Sequence, residues 1–255
     1  QPIVNLANIY NKFIDAMAYL ERIFETMNEP PVIEDRPGAV ELPPITGKVE
    51  FDHVSFGYEP GQKILHDVSF TAQPGESIAI VGPTGAGKTT IVNLISRFYN
   101  IEEGAVLIDG HSVMDVTLHS LRSQMGIMLQ DSFVFSGTIA DNIRYGRLDA
   151  SDADIVRVSK LLCADEFIQK LPHGYETEVK ERGGGLSQGQ KQLIAFARTL
   201  LADPKILVLD EATSSIDTST EQLLQRGINL LLQGRTSFII AHRLSTIRSC
   251  TRIMY

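Results

Sequence analysis

The run Gly82-Pro83-Thr84-Gly85-Ala86-Gly87-Lys88-Thr89 restricts the fold more than any other part of the chain. It matches the pattern GxxxxGK[ST]. Its glycines let the backbone curl until successive N–H groups face one point, which suits a phosphate. Ser77-Ile78-Ala79-Ile80-Val81 leads into it, and a helix is expected from Lys88 to about Phe98. Strand, glycine loop and helix in that order bring the positive helix end to the same point. Lys88 is expected to neutralise the β- and γ-phosphates of a nucleotide, and the Thr89 hydroxyl to ligate magnesium. A short strand apolar throughout is buried on both faces, as in parallel sheets covered by helices.

Two more runs carry the same signal, Ile206-Leu207-Val208-Leu209 and Ser237-Phe238-Ile239-Ile240. Strands alternating with helices give a mostly parallel α/β core. Upstream, Val49, Phe51, Val54 and Phe56 lie roughly at strand period. Gly57-Tyr58 and Pro60-Gly61 mark turns, and residues 64–72 read as another strand. Residues 133–201 are expected to be mainly helical. The run ending at Leu209 delivers Asp210 and Glu211 to the C-terminal end of its strand, where ligands bind in open α/β sheets. Side chains alternate along a strand, so one carboxylate can face magnesium while the other faces a water.

The first residues read as one long helix. Ile3, Leu6, Tyr10, Phe13, Met17, Leu20, Phe24 and Met27 fall at spacings of three and four, an apolar stripe. Asn5, Lys12, Asp15, Glu21 and Arg22 interrupt it, so the helix is amphipathic and does not span a bilayer. Pro30, Pro31, Pro37, Pro43 and Pro44 follow, and residues 28–47 read as an extended linker. A helix set apart by such a linker is expected to pack on something other than the domain that follows.

A length of 255 residues suits one large domain or two small ones. The net charge of -8 argues against nucleic-acid binding through phosphate neutralisation. Cys163 and Cys250 stand far apart without CxxC spacing, so neither a disulfide framework nor a zinc site is expected, and a reducing compartment is the simpler reading. No apolar run reaches membrane-span length and no leader pattern opens the sequence, so the chain as given is expected to be soluble. His53, His66, His111, His119 and His173 are read as structural or solvated.

Further motifs carry a family resemblance. Leu186-Ser187-Gln188-Gly189-Gln190 resembles the LSGGQ signature of ABC (ATP-binding cassette) proteins, upstream of the Asp-Glu strand. Tyr58 resembles the aromatic that stacks on adenine, and Gln130 the Q-loop glutamine. Ser214-Ser215-Ile216-Asp217 resembles the D-loop, and His242 the switch histidine. Thr177-Glu178-Val179-Lys180-Glu181-Arg182-Gly183 is similar to a stretch of exporters, with Lys180 in place of a glycine. The resemblance runs from Lys48 to Tyr255. It implies an α/β P-loop NTPase core with a mostly parallel sheet, an antiparallel β subdomain and an inserted α-helical subdomain at about 133–201. It reads residues 1–28 as the cytoplasmic end of an exporter's last transmembrane-domain helix, 29–47 as linker and 48–255 as the cassette. More chain, a further strand and helices, is expected after Arg252-Ile253, so the C-terminus reads as truncated.

The resemblance also implies an activity: ATP hydrolysis with Mg2+, powering export across a membrane through ATP-dependent dimerisation. ATP would be held by Tyr58 and by Gly82, Pro83, Thr84, Gly85, Ala86, Gly87, Lys88, Thr89 and Thr90. Ser187, Gly189 and Gln190 would act on the ATP of a second cassette. Thr89, Gln130 and Asp210 would hold the metal. Glu211 would act on the attacking water, with His242, Lys88 and Gln130 completing the catalytic set. Implied partners are the transmembrane domains and a second nucleotide-binding domain, at the cytoplasmic face of the cell membrane, with no nucleic acid. Gln188 stands where the signature has glycine; with Lys88, Glu211 and His242 intact, this resembles one half of a heterodimeric exporter, against a homodimer that tolerates glutamine. The rival readings are a soluble ABC ATPase of DNA repair or translation, which lacks the exporter stretch, and a module that binds ATP only to dimerise, which Glu211 and His242 oppose. The transported substrate is read by the membrane domains.

Overall fold

The computed structural model describes the chain apart from Pro60, residues 129–132, 181–182 and 211–217, and His242; the side chains of Thr218 and Ser219 are likewise outside the description. Two compact units result, Gln1–Glu34 and Asp35–Tyr255.

The first unit is helix α1, Pro2–Met27. Its opening proline has the φ a helix start needs and no N–H to leave unpaired. The Asn28 N–H closes it on the Phe24 carbonyl. None of its residues is buried, and Ile3, Phe13 and Phe24 are all more than half exposed.

Among its described residues, the second unit contains three sheets. β1 (Val49–Phe56), β2 (Leu65–Ala72), β4 (Glu103–Ile108) and β5 (His111–Ser112) form an antiparallel sheet in the order β2-β1-β4-β5. β3 (Ser77–Ile80) runs into α2 (Lys88–Ile95). After α3 (Leu118–Arg122) comes β6 (Met125–Met128). The helical stretch that follows holds α4 (Ile139–Arg144), α5 (Asp152–Leu161), α6 (Asp165–Ile168) and α7 (Gln188–Ala202), with β7 (Gly137–Thr138) paired antiparallel to β8 (Glu178–Val179). β9 (Ile206–Asp210), α8 (Thr218–Leu232), β10 (Thr236–Ile240), α9 (Leu244–Arg248) and β11 (Arg252–Met254) complete it. The second large sheet has the order β11-β3-β10-β9-β6, and every pair in it is parallel. The expected parallel core, antiparallel subdomain and helical insertion are thus all present.

The inner parallel strands β3, β9 and β10 are largely apolar and buried because they are covered on both faces. Ile78, Ile80, Ile206, Val208, Phe238 and Ile240 face the core shared with the antiparallel sheet and α2. Leu207, Leu209 and Ile239 face the core built with α4, α5, α7 and α8. Alternation along a strand sends successive side chains to opposite layers.

The stretch expected as an extended linker divides in two. Residues from Asp35 onward belong to the second unit, and Leu42 and Ile45 are buried in its core. Val40 bridges Val116, and the Leu42 N–H donates to Ser120 Oγ. The Gln124 side chain accepts from the Ile45 N–H and donates to the Leu42 and Pro43 carbonyls. The Asp109 carboxylate accepts from the N–H groups of Thr46, Gly47 and Lys48 and from the Thr46 hydroxyl. Prolines deprive this segment of backbone donors, so remote side chains do the work that a sheet ladder does elsewhere.

Candidate functional site

The glycine loop follows directly from β3, whose parallel register with β10 pairs Ile80 with Ile240. β10 in turn pairs Ile240 with Asp210 of β9. Three strands therefore end side by side, and the loop and Asp210 share the C-terminal end of the sheet. Gly82, Gly85 and Gly87 have φ of 148°, 86° and 86°, a region costly for residues with a Cβ. Gly87 is also sterically required: a Cβ there would lie 2.7 Å from Leu65 Cδ2 and 3.3 Å from Ile64 Cγ2. As the N-cap of α2 it supplies no side chain to the first-turn amides, which suits an anionic ligand.

Lys88 folds back over its own loop. Its Nζ donates to the carbonyls of Gly82, at 3.0 Å, and Pro83, at 2.9 Å. A phosphate drawing the ammonium forward exchanges two neutral acceptors for a charged one, a stronger bond. A cleft of about 340 Å³ opens here, and Tyr58, Lys88, Thr89, Thr90, Asp210 and Ile240 are among the residues that line it. Thr84, Gly85 and Gly87 line it too. Thr89 and Asp210 put hard oxygen donors beside Lys88, a donor set that fits Mg2+. No group of three or more His, Cys, Asp or Glu residues suited to a metal occurs among the described residues.

Tyr58 is 43% exposed, enough to offer a ring face to a ligand. It is set edge-on against Phe56 (centroids 5.2 Å apart, interplanar angle 90°) and Tyr99 (4.8 Å, 75°). Its hydroxyl is 3.2 Å from Thr90 Oγ1 and accepts from Asn93 Nδ2 at 3.2 Å. Asn93 escaped the sequence reading, although its place three residues after Thr90 on one helix puts both on one face.

Ser187, Gly189 and Gln190 are not among the residues lining that cleft. They form the start of α7, where Ser187 is the N-cap in a capping box. Ser187 Oγ accepts from the Gln190 N–H, and Gln190 Oε1 accepts from the Ser187 N–H. The serine hydroxyl hydrogen remains available to donate outward. Gly189 is buried and Gln188 exposed. In the exporter-like stretch, Glu178 and Val179 form β8. Gln130, Glu211, His242 and the 214–217 motif lie outside the described residues. His53, by contrast, is described: it is exposed, and its Nδ1 lies 2.6 Å from Asp67. That pairing raises its pKa through the hydrogen bond and the carboxylate charge.

The family described as ABC transporter matches residues 65–214, more than half of the chain. An uncharacterized ABC transporter ATP-binding protein of Bacillus subtilis, YknV, is 53% identical over all of the chain and 42% of its own length. The fatty acid ABC transporter ATP-binding/permease protein of Mycobacterium tuberculosis is 51% identical over 99% of the chain and 40% of its own length. An ATP-dependent lipid A-core flippase of Syntrophus aciditrophicus is 44% identical, over 100% of the chain and 42% of that protein. The structure of a bacterial Atm1-family ABC exporter with ATP bound superposes with a TM-score of 0.86 at 43% identity, over 98% of the chain and 44% of that protein. The chain thus spans about two fifths of the length of the curated relatives it matches.

Proposed function

The chain belongs to the ABC transporter family, and from that premise we propose that it is the ATP-binding and ATP-hydrolysing part of a membrane exporter. One observation carries the reading: a left-handed glycine loop, Lys88, Thr89, Thr90, Tyr58 and Asp210 meet in one cleft. Loop amides and the Lys88 ammonium hold the phosphates, and the exposed face of Tyr58 stacks on adenine. Thr89 and Asp210, with Gln130, would hold Mg2+, which when bound neutralises charge on the phosphate oxygens. By resemblance alone, Glu211 orients the attacking water and accepts its proton, and His242 steadies the transferred phosphoryl group.

Ser187, Gly189 and Gln190 lie away from this cleft, consistent with their serving the ATP of a second cassette placed head to tail. The relatives named as ATP-binding/permease proteins are longer than this chain. That comparison supports a transmembrane part joined to this one, and in this reading the chain sits at the cytoplasmic face of that membrane. α1 would be the inner end of the last membrane helix, its bare stripe meeting other helices of that part. No helix among the described residues is long and apolar enough to cross a membrane. Gln188, exposed at the signature, favours a heterodimer in which this chain lends a variant signature to its partner.

Two variants test the reading. Lys88→Ala is expected to lose nucleotide binding. Glu211→Gln is expected to keep ATP bound while losing most turnover. Near-normal single-cycle hydrolysis by Glu211→Gln would remove Glu211 from the mechanism, and a tight symmetric dimer of that variant in sedimentation with ATP would remove the heterodimer.

A further inference from the structure

The Tyr58 hydroxyl sits between two groups of α2. Asn93 Nδ2 donates to it at 3.2 Å, and Thr90 Oγ1 lies 3.2 Å away. The Asn93 amide nitrogen has only hydrogens to give. The phenol oxygen is therefore an acceptor on that side, and it keeps a single hydrogen that Thr90 Oγ1 is placed to receive. With the phenol as donor, Thr90 Oγ1 accepts and its own hydrogen is free to turn elsewhere. Thr90 is 3% exposed, and it lines the cleft beside Lys88 and Thr89. The rings of Phe56 and Tyr99, packed edge-on against Tyr58, restrain the phenol in place.

We propose that Asn93 is a positioning residue for nucleotide binding: through Tyr58 it sets the direction of a three-member hydrogen-bond chain, so that Thr90 presents its hydroxyl hydrogen to a phosphate oxygen. The argument is one of polarity. A phosphate is all acceptor, and a threonine hydroxyl that spends its hydrogen on a neighbour offers it lone pairs instead. With the chain running Asn93 to Tyr58 to Thr90, each hydroxyl accepts on one side and donates on the other, and hydrogen bonds aligned head to tail reinforce one another. Tyr58 then has two separable duties. Its ring face serves the base and its hydroxyl serves the phosphates.

The proposal rests on the reading of this cleft as the nucleotide site, and the variants separate the two. In the full 255-residue chain, ATP affinity is measured by calorimetry for Asn93→Leu, Tyr58→Phe, their combination, Asn93→Asp and Tyr58→Ala. Asn93→Leu and Tyr58→Phe are each expected to weaken ATP binding about fivefold, the worth of one neutral hydrogen bond, and the combination no further. Asn93→Asp is expected to weaken it more than Asn93→Leu, because a carboxylate takes the phenol hydrogen and reverses the chain. A purely structural role for Asn93 would act equally with or without the Tyr58 hydroxyl. Additive losses in the combination, or unchanged affinity in both single variants, would overturn the proposal. If Tyr58→Phe binds like wild type while Tyr58→Ala binds weakly, stacking stands and the relay falls. If both Tyr58 variants lose equally, the relay stands and stacking falls. A wild-type chain that does not bind ATP overturns the nucleotide site, and the relay with it.

Discussion

Alanine at two loop glycines separates backbone strain from steric conflict. Gly85 and Gly87 share a φ of 86°, but a Cβ at Gly85 meets nothing within 4 Å, whereas at Gly87 it meets Leu65 Cδ2 at 2.7 Å. Left-handed backbone costs a residue with a Cβ about 1–2 kcal/mol. Reduced freedom of the unfolded chain returns about 0.4–1 kcal/mol. Gly85→Ala is therefore expected to lose roughly 1 kcal/mol. Gly87→Ala bears the same backbone cost plus overpacking. Leu65 is only 4% exposed and sits in the core with Phe56 and Ile91, so its methyl cannot simply swing into solvent. That adds about 1–3 kcal/mol. The chain has no tryptophan, so urea unfolding is best followed by circular dichroism. In thermal melts the difference between the variants corresponds to about 2–4 °C per kcal/mol. Equal destabilisation of the two variants, or a larger loss at Gly85, would refute the steric argument.

Two further outcomes follow from the architecture. Burial alone would raise the Asp109 pKa, but hydrogen bonds from Thr46, Lys48 and Gly47 outweigh it and the net shift is downward. Its stabilisation is thus complete above the ordinary aspartate value of about 3.9 and is lost as pH falls through the lower native value. Stability measured by urea unfolding should show a cost for Asp109→Asn that shrinks between about pH 5 and pH 2; a cost independent of pH would contradict it. Deleting residues 1–28 should leave the thermal midpoint of the Asp35–Tyr255 unit unchanged within error, since α1 buries none of its residues. A fall of several degrees would contradict that independence.

Legibility in the sequence followed how local each signal was. β3, β9 and β10 announced themselves as short, mostly apolar runs because both their faces are covered. The glycine loop was legible because its chemistry is written in consecutive residues. The second half of the proline-rich segment was not. Its partners, Asp109, Ser120 and Gln124, lie some 60 to 80 positions away and hold it through single side-chain bonds that leave no periodicity. β7 and β8 escaped because two-residue strands have no pattern to read. At the signature, the motif was plain but the reciprocal Ser187–Gln190 cap was not drawn from it, although serine three residues before glutamine is a recognised helix start. Asn93 went unread because a polar residue on a helix next to a motif looks like an ordinary solvated position.

The position of β10 between β3 and β9 also dictates when the site can exist. Ser237 pairs with Ser77, a partner about 160 residues earlier, and the strand bearing Asp210 reaches the loop strand only through it. During synthesis the phosphate loop emerges long before the strand that joins it to Asp210. Until Ile240 has left the ribosome, β3 and β9 each present an unpaired apolar edge, the kind of surface that invites chaperones or misassociation. A nascent chain that ends before Thr236 should therefore gain little protection from ATP against proteolysis, however complete its glycine loop.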